Sequence, residues 1–552
     1  MTISKIPQPF LLFLFLSTIL NASLFAQSIE DDISHLASKE YPEGGPGVSI
    51  LVAKNGKPIY KEAFGMASIE LNVPMKPDNV FEIGSITKQF TAIAVLMLKE
   101  QGKLKLEDDI TKFLPDYPTH GKSITIHHLL NHTSGIKSYT DMPSFIQEAR
   151  TDFTPQELID TFKNEPMDFE PGEKFRYNNS GYILLGYIIE KASGETYEDF
   201  IDNHIFKPLG MSSSYYGSNL EIIMNRASGY QQVEQGFANS NYISMTIPYA
   251  AGSLMSTTSD LLKWQNALNS YKLITKASYE LAIHGSTLNN GEHIDYGYGL
   301  SEMTIQGSQA ITHGGGIFGY TTMGIYFPKE DIFVSALSNC SCKNVTGLAN
   351  KIAAIAIGKP FPNVDDAIIL NETQLNKWLG AYQFENDIVR HITLDEGKLY
   401  SQREGSTKLP IFPLSENQYL FEDVIYTYDF FEEDGVKKVT FKSPSNTQIG
   451  IFTNKLPPAE RKTITLTEKE IEPYVGKYEL MPGFILTFTK NGNKLFTQAT
   501  GQPQFEVFPE SKDTFFLKVV EAKIIFKKDS QGKITSLDLH QNGVIQNAKK
   551  IE

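Results

Sequence analysis

Ser85-Ile86-Thr87-Lys88 sets a hydroxyl and an amine three positions apart. On a helix that spacing puts both on one face, one turn from each other, so the amine can take the hydroxyl's proton. An unactivated serine is a poor nucleophile, and a base within hydrogen-bond reach is what makes it a useful one. The same pattern recurs at Ser134-Gly135-Ile136-Lys137 and Ser530-Gln531-Gly532-Lys533, so the tetrapeptide alone selects nothing. Two further groups narrow the choice. Of the 26 tyrosines only Tyr177 has an asparagine two residues on, Asn179, and of the 11 histidines only His313 has a glycine two residues on, Gly315.

These residues are useful only if local structure positions them. Ser85 opens an apolar run, Phe90, Ile93, Leu96 and Met97, at spacings of three and four, that ends at Gly102; this predicts a helix carrying Lys88 in its first turns. Ser134 and Ser530 run at once into glycine-containing turns, where no helix fixes the lysine. Residues 47–64 alternate apolar stretches around Lys54-Asn55-Gly56 and read as a hairpin. Helical and loop-rich segments occupy about 85–285, strands are expected at 300–305 and 323–337, and a helix at 348–357. Strands at both ends with helices between imply one sheet closed by the chain's two ends, with a helical lobe inserted.

The order and spacing of the three motifs, together with Pro46-Gly47-Val48-Ser49 and Leu129-Leu130-Asn131-His132-Thr133-Ser134-Gly135, resemble the serine beta-lactamase and penicillin-binding-protein superfamily. More narrowly they are similar to its class C-related branch of esterases, D-amino-acid peptidases and DD-peptidases, in which Tyr-x-Asn stands for Ser-x-Asn and His-x-Gly for Lys-Thr-Gly. The resemblance covers roughly residues 30–358. It implies an α/β (α+β) fold: an antiparallel sheet flanked by helices with an all-helical lobe, and the active site in the cleft between them. It implies Ser85 as nucleophile, Lys88 as base, Tyr177 as proton shuttle, Asn179 holding Lys88 and substrate, and His313, Gly315 and Gly316 lining the cleft, with Gly316 N–H completing an oxyanion site. Phenolate character at Tyr177 requires nearby cations, for which Lys88 and His313 are the candidates. His-Gly-Gly-Gly also forms the oxyanion loop of some α/β-hydrolases, but the Gly-x-Ser-x-Gly that must follow it is absent from the chain. A neutral histidine in place of a permanent cation favours esters or uncharged amides over efficient beta-lactam hydrolysis. The readings that stay open are an esterase, a D-amino-acid or peptidoglycan-directed peptidase, a weak beta-lactamase and, in another class, a non-hydrolysing penicillin-binding-type receptor.

Other residues read as structural. His132 belongs to a loop supporting the cleft, Trp264 and Trp378 to cores, and Tyr296 to packing ahead of a strand. His127-His128 lacks an acidic residue at metal spacing, and no metal or organic cofactor is implied. Cys340 and Cys342, the only cysteines, have one residue between them and are expected to be separate loop thiols.

At 552 residues the chain is too long for one core. A net charge of -14 argues against nucleic acid or an anionic membrane surface as partner; a small ester, peptide or cell-wall-derived substrate is expected instead. Residues 1–26 read as a secretory signal, with Lys5, an apolar run over 10–20, and Ala26 before Gln27. The run is too short to span a bilayer stably, so a periplasmic or secreted mature protein without stable membrane insertion is expected, retention of the signal as an anchor being the alternative.

After a hydrolase domain over 27–358 and a linker over 359–370, the sequence repeats itself. Gly380-Ala381-Tyr382 matches Gly476-Lys477-Tyr478, and Lys398-Leu399-Tyr400-Ser401-Gln402 matches Lys494-Leu495-Phe496-Thr497-Gln498. Phe412-Pro413 matches Phe508-Pro509, and Tyr419-Leu420-Phe421 matches Phe515-Phe516-Leu517. Every pair is offset by 96 (476 − 380, 494 − 398). A period this long means two small β domains rather than a solenoid: 371–456 and 467–552, joined over 457–466 and similar to barrel-like, lipocalin-like modules. The signal reading makes the first prediction. N-terminal sequencing of protein recovered from periplasm or medium should start near Gln27, and a full-length cytosolic product would overturn it.

Overall fold

The computed structural model describes residues 29–552 except 234–235, 343, 386–387, 404–407, 422–425, 444–446, 457–462, 482–483, 500–503, 519–521 and 542–543. The expected signal segment therefore lies outside the described residues, as does most of the joint at 457–466. Among the described residues no helix is long and apolar enough to cross a membrane.

The first of two compact units, essentially residues up to 361, is built on six antiparallel strands: β1 (Val48–Lys54), β2 (Lys57–Phe64), β3 (Ser301–Ile305), β4 (Ser308–Ile317), β5 (Tyr320–Phe327) and β6 (Ile332–Ser338). Their order is β3-β4-β5-β6-β1-β2, so the last strand in sequence, β6, pairs with the first, as the placement of apolar runs at both ends predicted. Asn55 and Gly56 turn β1 into β2 with φ of 52° and 70°, the paired left-handed conformation that a two-residue hairpin demands and that Asn-Gly adopts at little cost. The apolar run expected at 323–337 proves to be two strands, β5 and β6, separated by a turn.

Helix α1 (Thr87–Glu100) follows the Ser85 turn and is buried on nearly every side, including Phe90, Ile93, Val95 and Leu98. It packs against α2 (Asn179–Ser193). Asn178 caps α2, its Oδ1 accepting from Gly181 N at 2.8 Å, and Gly194 ends it at φ 84°. Helix α3 (Thr258–Asn269) presents Trp264, whose Nε1 donates to Gln89 Oε1 at 2.9 Å and whose ring stacks on Phe90 at 4.0 Å, a core role as expected. The opposite face of the sheet is covered by α4 (Thr346–Ala356), with Leu348, Ile352 and Ala353 against Val334 and Ile325.

One expectation is corrected. Cys340 and Cys342 are bonded, with Cα atoms 5.1 Å apart, a separation that accommodates a disulfide. The chain doubles back tightly at Ser341, and Cys342 N donates to Cys340 Sγ at 3.2 Å. Sequence spacing overlooked that turn.

In the second unit each repeat closes as an eight-stranded antiparallel barrel, one from Gly380–Gln383 to Thr447–Thr453 and one from Gly476–Met481 to Val544–Lys550. The duplication runs deeper than the matching strands. A one-turn helix opens each copy, Glu372–Asn376 and Glu468–Ile471, behind capping boxes on Asn371 and Thr467, again 96 apart. Tyr382 Oη donates to Trp378 O at 2.9 Å and Tyr478 Oη to Tyr474 O at 3.0 Å. Trp378 Nε1 donates to Glu416 O, and its counterpart Tyr474 Oη donates to Lys512 O. Both internal tyrosines are fully buried. Tyr382→Phe and Tyr478→Phe each remove a buried donor without a cavity, so each should cost about 1 kcal/mol, read as a fall in the urea midpoint at unchanged slope.

Candidate active site

Gly84 turns the chain out of the short strand Phe81–Glu82 at φ 51°, and a Cβ there would lie 2.9 Å from Gly316 N. Glycine is therefore needed both for conformation and for close approach. Ser85 follows in a single 3-10 turn, Gly84–Ile86, and Lys88 stands in the first turn of α1. Below the turn, Arg226 pairs with buried Glu82 at 2.5 Å, and Thr322 Oγ1 donates to Ile83 O at 2.9 Å. The nucleophile turn is thus tied to β5 and to a buried ion pair.

Lys88 is completely buried and its Nζ has three partners: Ser85 Oγ at 3.0 Å, Asn179 Oδ1 at 2.8 Å and Ala251 O at 2.9 Å. Burial drives its pKa well below the ordinary lysine value. Two of the three partners can only accept. Ala251 O is a carbonyl, and Asn179 is held with Oδ1 toward Lys88 because its Nδ2 donates to Thr140 Oγ1 at 3.0 Å. Ser85 is the one partner with a proton to give, so the neutral form that burial favours can donate to Asn179 and Ala251 and accept from Ser85. Ala251 reaches Lys88 because the helix Tyr249–Gly252 lies hard against α2 at Gly186, where a Cβ would fall 2.4 Å from that of Ala250.

Tyr177 keeps 38% of its surface exposed, and Lys88 Nζ lies 4.8 Å from its ring centre. Burial pushes the phenol up, partly opposed by the Ser85 hydrogen bond. His313, on β4, is buried; burial and then the Lys88 charge bring its pKa down to about 4. Its Nδ1 faces Gly314 O at 2.6 Å, an obligate acceptor, so Nδ1 carries the proton and Nε2 accepts from Tyr296 Oη at 3.0 Å. The expectation that His313 serves as a cation for Tyr177 is therefore corrected: desolvation leaves the imidazole neutral.

Of the residues anticipated from sequence, Ser85, Lys88, Tyr177 and Asn179 come together through direct contacts. Ser85, Asn179 and Gly316 also line a cavity of about 380 Å³, whereas His313 and Gly315 stand behind it. A Cβ on Gly315 would lie 2.0 Å from Ile83 O, so that glycine lets β4 approach the nucleophile turn. Gly316 has open space where a Cβ would be and turns its backbone to Gly84. Tyr139, Phe145, Ile243, Phe318 and Tyr320 supply apolar wall, and no lining residue is charged. Sequence reasoning overlooked Ala251, since any residue offers a carbonyl, and underrated Tyr296, whose only signal was its place among turn glycines. His132 adopts φ 62° and stacks within 4.3 Å of Tyr177 and 4.6 Å of Tyr296, accepting from Asn178 N at 3.1 Å. It supports the cleft, as read. The rival Lys137 pairs with Asp168 at 3.2 Å.

Fold and site together are those of the beta-lactamase class. Residues 37–358 match the Beta-lactamase family, more than half of the chain, and the chain belongs to that family of serine hydrolases. Residues 460–550, in the second barrel, match a domain of unknown function, DUF3471. Penicillin-binding protein 4* of Bacillus subtilis is 32% identical over 412 residues, which are 70% of this chain and 91% of that one. The octameric penicillin-binding protein homologue from Pyrococcus abyssi superposes with a TM-score of 0.56 at 29% identity, over 77% of this chain and 99% of that one. D-amino acid amidase from Ochrobactrum anthropi, complexed with D-phenylalanine, gives 0.52 at 26% identity, over 61% and 98%.

Gly315→Ala tests the packing of β4 on the nucleophile turn. The added methyl should cost about 1–3 kcal/mol in stability and slow acylation of Ser85 by displacing Ile83-Gly84. A variant with unchanged melting and unchanged acylation would show that this contact does not position the serine.

Proposed function

We propose that the chain is an exported hydrolase that cleaves an ester or amide bond through an acyl-enzyme on Ser85. The observation that carries the reading is the placement of Lys88 Nζ, 3.0 Å from Ser85 Oγ with two obligate acceptors on its other sides. Ser85 Oγ attacks the substrate carbonyl carbon, its proton passes to Lys88 Nζ, and the backbone N–H groups of Ser85 and Gly316 receive the oxyanion. The proton then travels through Tyr177 to the leaving amine or alkoxide as that bond breaks. Water enters, loses a proton by the same route in reverse, and releases the acid from Ser85. Tyr177 acts as a neutral relay, accepting and donating in one motion, since burial disfavours its phenolate.

The cavity suggests the substrate class. Uncharged walls with aromatic and branched residues suit an apolar acyl group and offer a free carboxylate no counter-charge. An ester or amide of a neutral, aromatic-sized acid fits best. The likeness to D-amino acid amidase, solved with D-phenylalanine, supports an amide of an aromatic D-amino acid, whose side chain suits the apolar wall and whose α-amine would have to face solvent, and the likeness to penicillin-binding proteins keeps peptidoglycan-derived peptides as the second reading. The leader-like residues 1–26 support export.

Intact-mass spectrometry with a fluorophosphonate, a penicillin and a D-phenylalanine ester tests the mechanism. Ser85→Ala should abolish every adduct, and Lys88→Met and Tyr177→Phe should each slow acylation by at least about 10²-fold. A transient acyl adduct supports the hydrolase, and a stable one the non-hydrolysing receptor. The base form of Lys88 exists above its depressed pKa, so kcat/KM should rise with pH through that value, far below 10, and then hold level. His313, with a pKa near 4, should leave no inflection between pH 6 and 8. An acid limb that survives in Lys88→Met at measurable turnover sinks the assignment of the base.

A further inference from the structure

Away from the catalytic cleft, the segment between the helix Lys276–Ile283 and β3 gathers two histidines and three carboxylates at the surface. His293 Nε2 lies 3.5 Å from Asp295 Oδ1 and 3.9 Å from Glu302 Oε2, and the ligand atoms of these three residues all lie within 4.8 Å of one another. The other oxygen of Glu302 is taken by His284 Nδ1 at 2.9 Å, and His284 Nε2 meets Glu280 Oε2 at 2.8 Å.

We propose that His293 Nε2, Asp295 and Glu302 form a binding site for one divalent transition cation, Zn²⁺ in the first instance. Three features support a ligand set over a chance meeting of surface charges. Zn²⁺ bonds of about 2.0–2.1 Å put tetrahedral ligand atoms roughly 3.3 Å apart, so the two edges at His293, 3.5 and 3.9 Å, need to close by about 0.2 and 0.6 Å, and the edge between the two exposed carboxylates, within 4.8 Å, by no more than about 1.5 Å. The Glu280–His284 chain engages one oxygen of Glu302 and leaves the second facing His293, the kind of outer contact that orients a carboxylate ligand. The backbone is already braced there: Glu302 N donates to Asp295 O at 2.9 Å, and Tyr296 bridges Ser301. Three protein ligands leave a fourth position for water, and the imidazole favours zinc, nickel or cobalt over magnesium or calcium.

The position gives the site a consequence. Asp295 immediately precedes Tyr296, whose hydroxyl holds His313, and Glu302 stands on the returning strand. A cation joining them clamps both ends of the loop that carries Tyr296. The sequence signal is His293-x-Asp295, two residues that share one face of an extended segment, and it becomes meaningful only when Glu302 folds back beside it.

The test is calorimetric titration of the untagged, metal-free full chain with ZnCl₂, alongside melting with and without Zn²⁺. The expected result is one saturable Zn²⁺ that is lost in His293→Ala and in Glu302→Gln. His284→Ala should retain it with affinity lowered by about 10- to 100-fold. The melting temperature should rise with Zn²⁺ in the natural chain and stay fixed in His293→Ala, while His204→Ala, in the unrelated surface pair with Glu195, behaves as the natural chain does. Absence of saturable binding overturns the proposal, as does binding that His293→Ala leaves intact. Equal competition by Mg²⁺ also overturns it, since it would mark diffuse attraction to carboxylates. None of these readouts depends on turnover at Ser85, so failure here leaves the hydrolase reading standing and the reverse also holds.

Discussion

An amine with no access to water, bounded on two sides by oxygens that can only accept, organises this hydrolase unit. Lys88 cannot hold a charge cheaply in the interior of α1, and as a neutral group it must donate to Asn179 and Ala251. What remains is a lone pair with one direction left, toward Ser85. The surrounding architecture follows from keeping those acceptors in place. Asn178 caps α2 so that Asn179 opens it beside Lys88, and Thr140 holds the Asn179 amide in one orientation. Gly186 lets the Tyr249–Gly252 helix close in until the Ala251 carbonyl arrives. The apolar run that makes α1 a central helix is also what removes water from its lysine.

The same cause acts on the other titratable groups. Burial lowers His313 and Lys88 and raises Tyr177 and Tyr296, so each is pushed to its uncharged form. A resting site without net charge, set beside a cavity without charged walls, keeps electrostatic work for the moment when a proton leaves Ser85 and negative charge grows on the substrate oxygen. In the proposed acylation the backbone N–H groups of Ser85 and Gly316 are the candidate donors to that oxygen. Desolvation disfavours a phenolate at Tyr177, which suits the proposed concerted relay better than a pre-ionised base.

What could be read in advance depended on whether a side chain declared its own role. Ser85, Lys88, Tyr177 and Asn179 were legible because their types and order are restrictive, and the sheet's closure by the two chain ends followed from where the apolar runs fall. His313 was legible as a residue of the site but not in its state. Its partner Tyr296 sits 17 residues away with nothing in between to announce it, and its tautomer is set by a neighbouring carbonyl. Ala251 had no signal, because its contribution is backbone. Gly315 was expected to line the cleft, but what approaches it is Ile83 O. The Cys340–Cys342 bond escaped because a tight turn at Ser341 does what sequence separation seemed to forbid.

The duplicated barrels show why a repeat with few identical residues is still recognisable. A closed barrel leaves no strand edge, so each copy completes its own hydrogen bonding and the pair does not merge into one larger sheet. What survives across the 96-residue offset is what closure needs: a capping box before the first strand, a glycine at φ 135° or 139° starting it, and a buried tyrosine tied to the residue four positions earlier. Trp378 gives way to Tyr474, and yet both rings donate to the carbonyl of the equivalent residue, Glu416 or Lys512. Side-chain identity drifted while the bond was kept, tying the helix that opens each copy to the same turn of the barrel. The constraint lies in satisfying backbone groups, which is why spacing preserved the signal where identity did not.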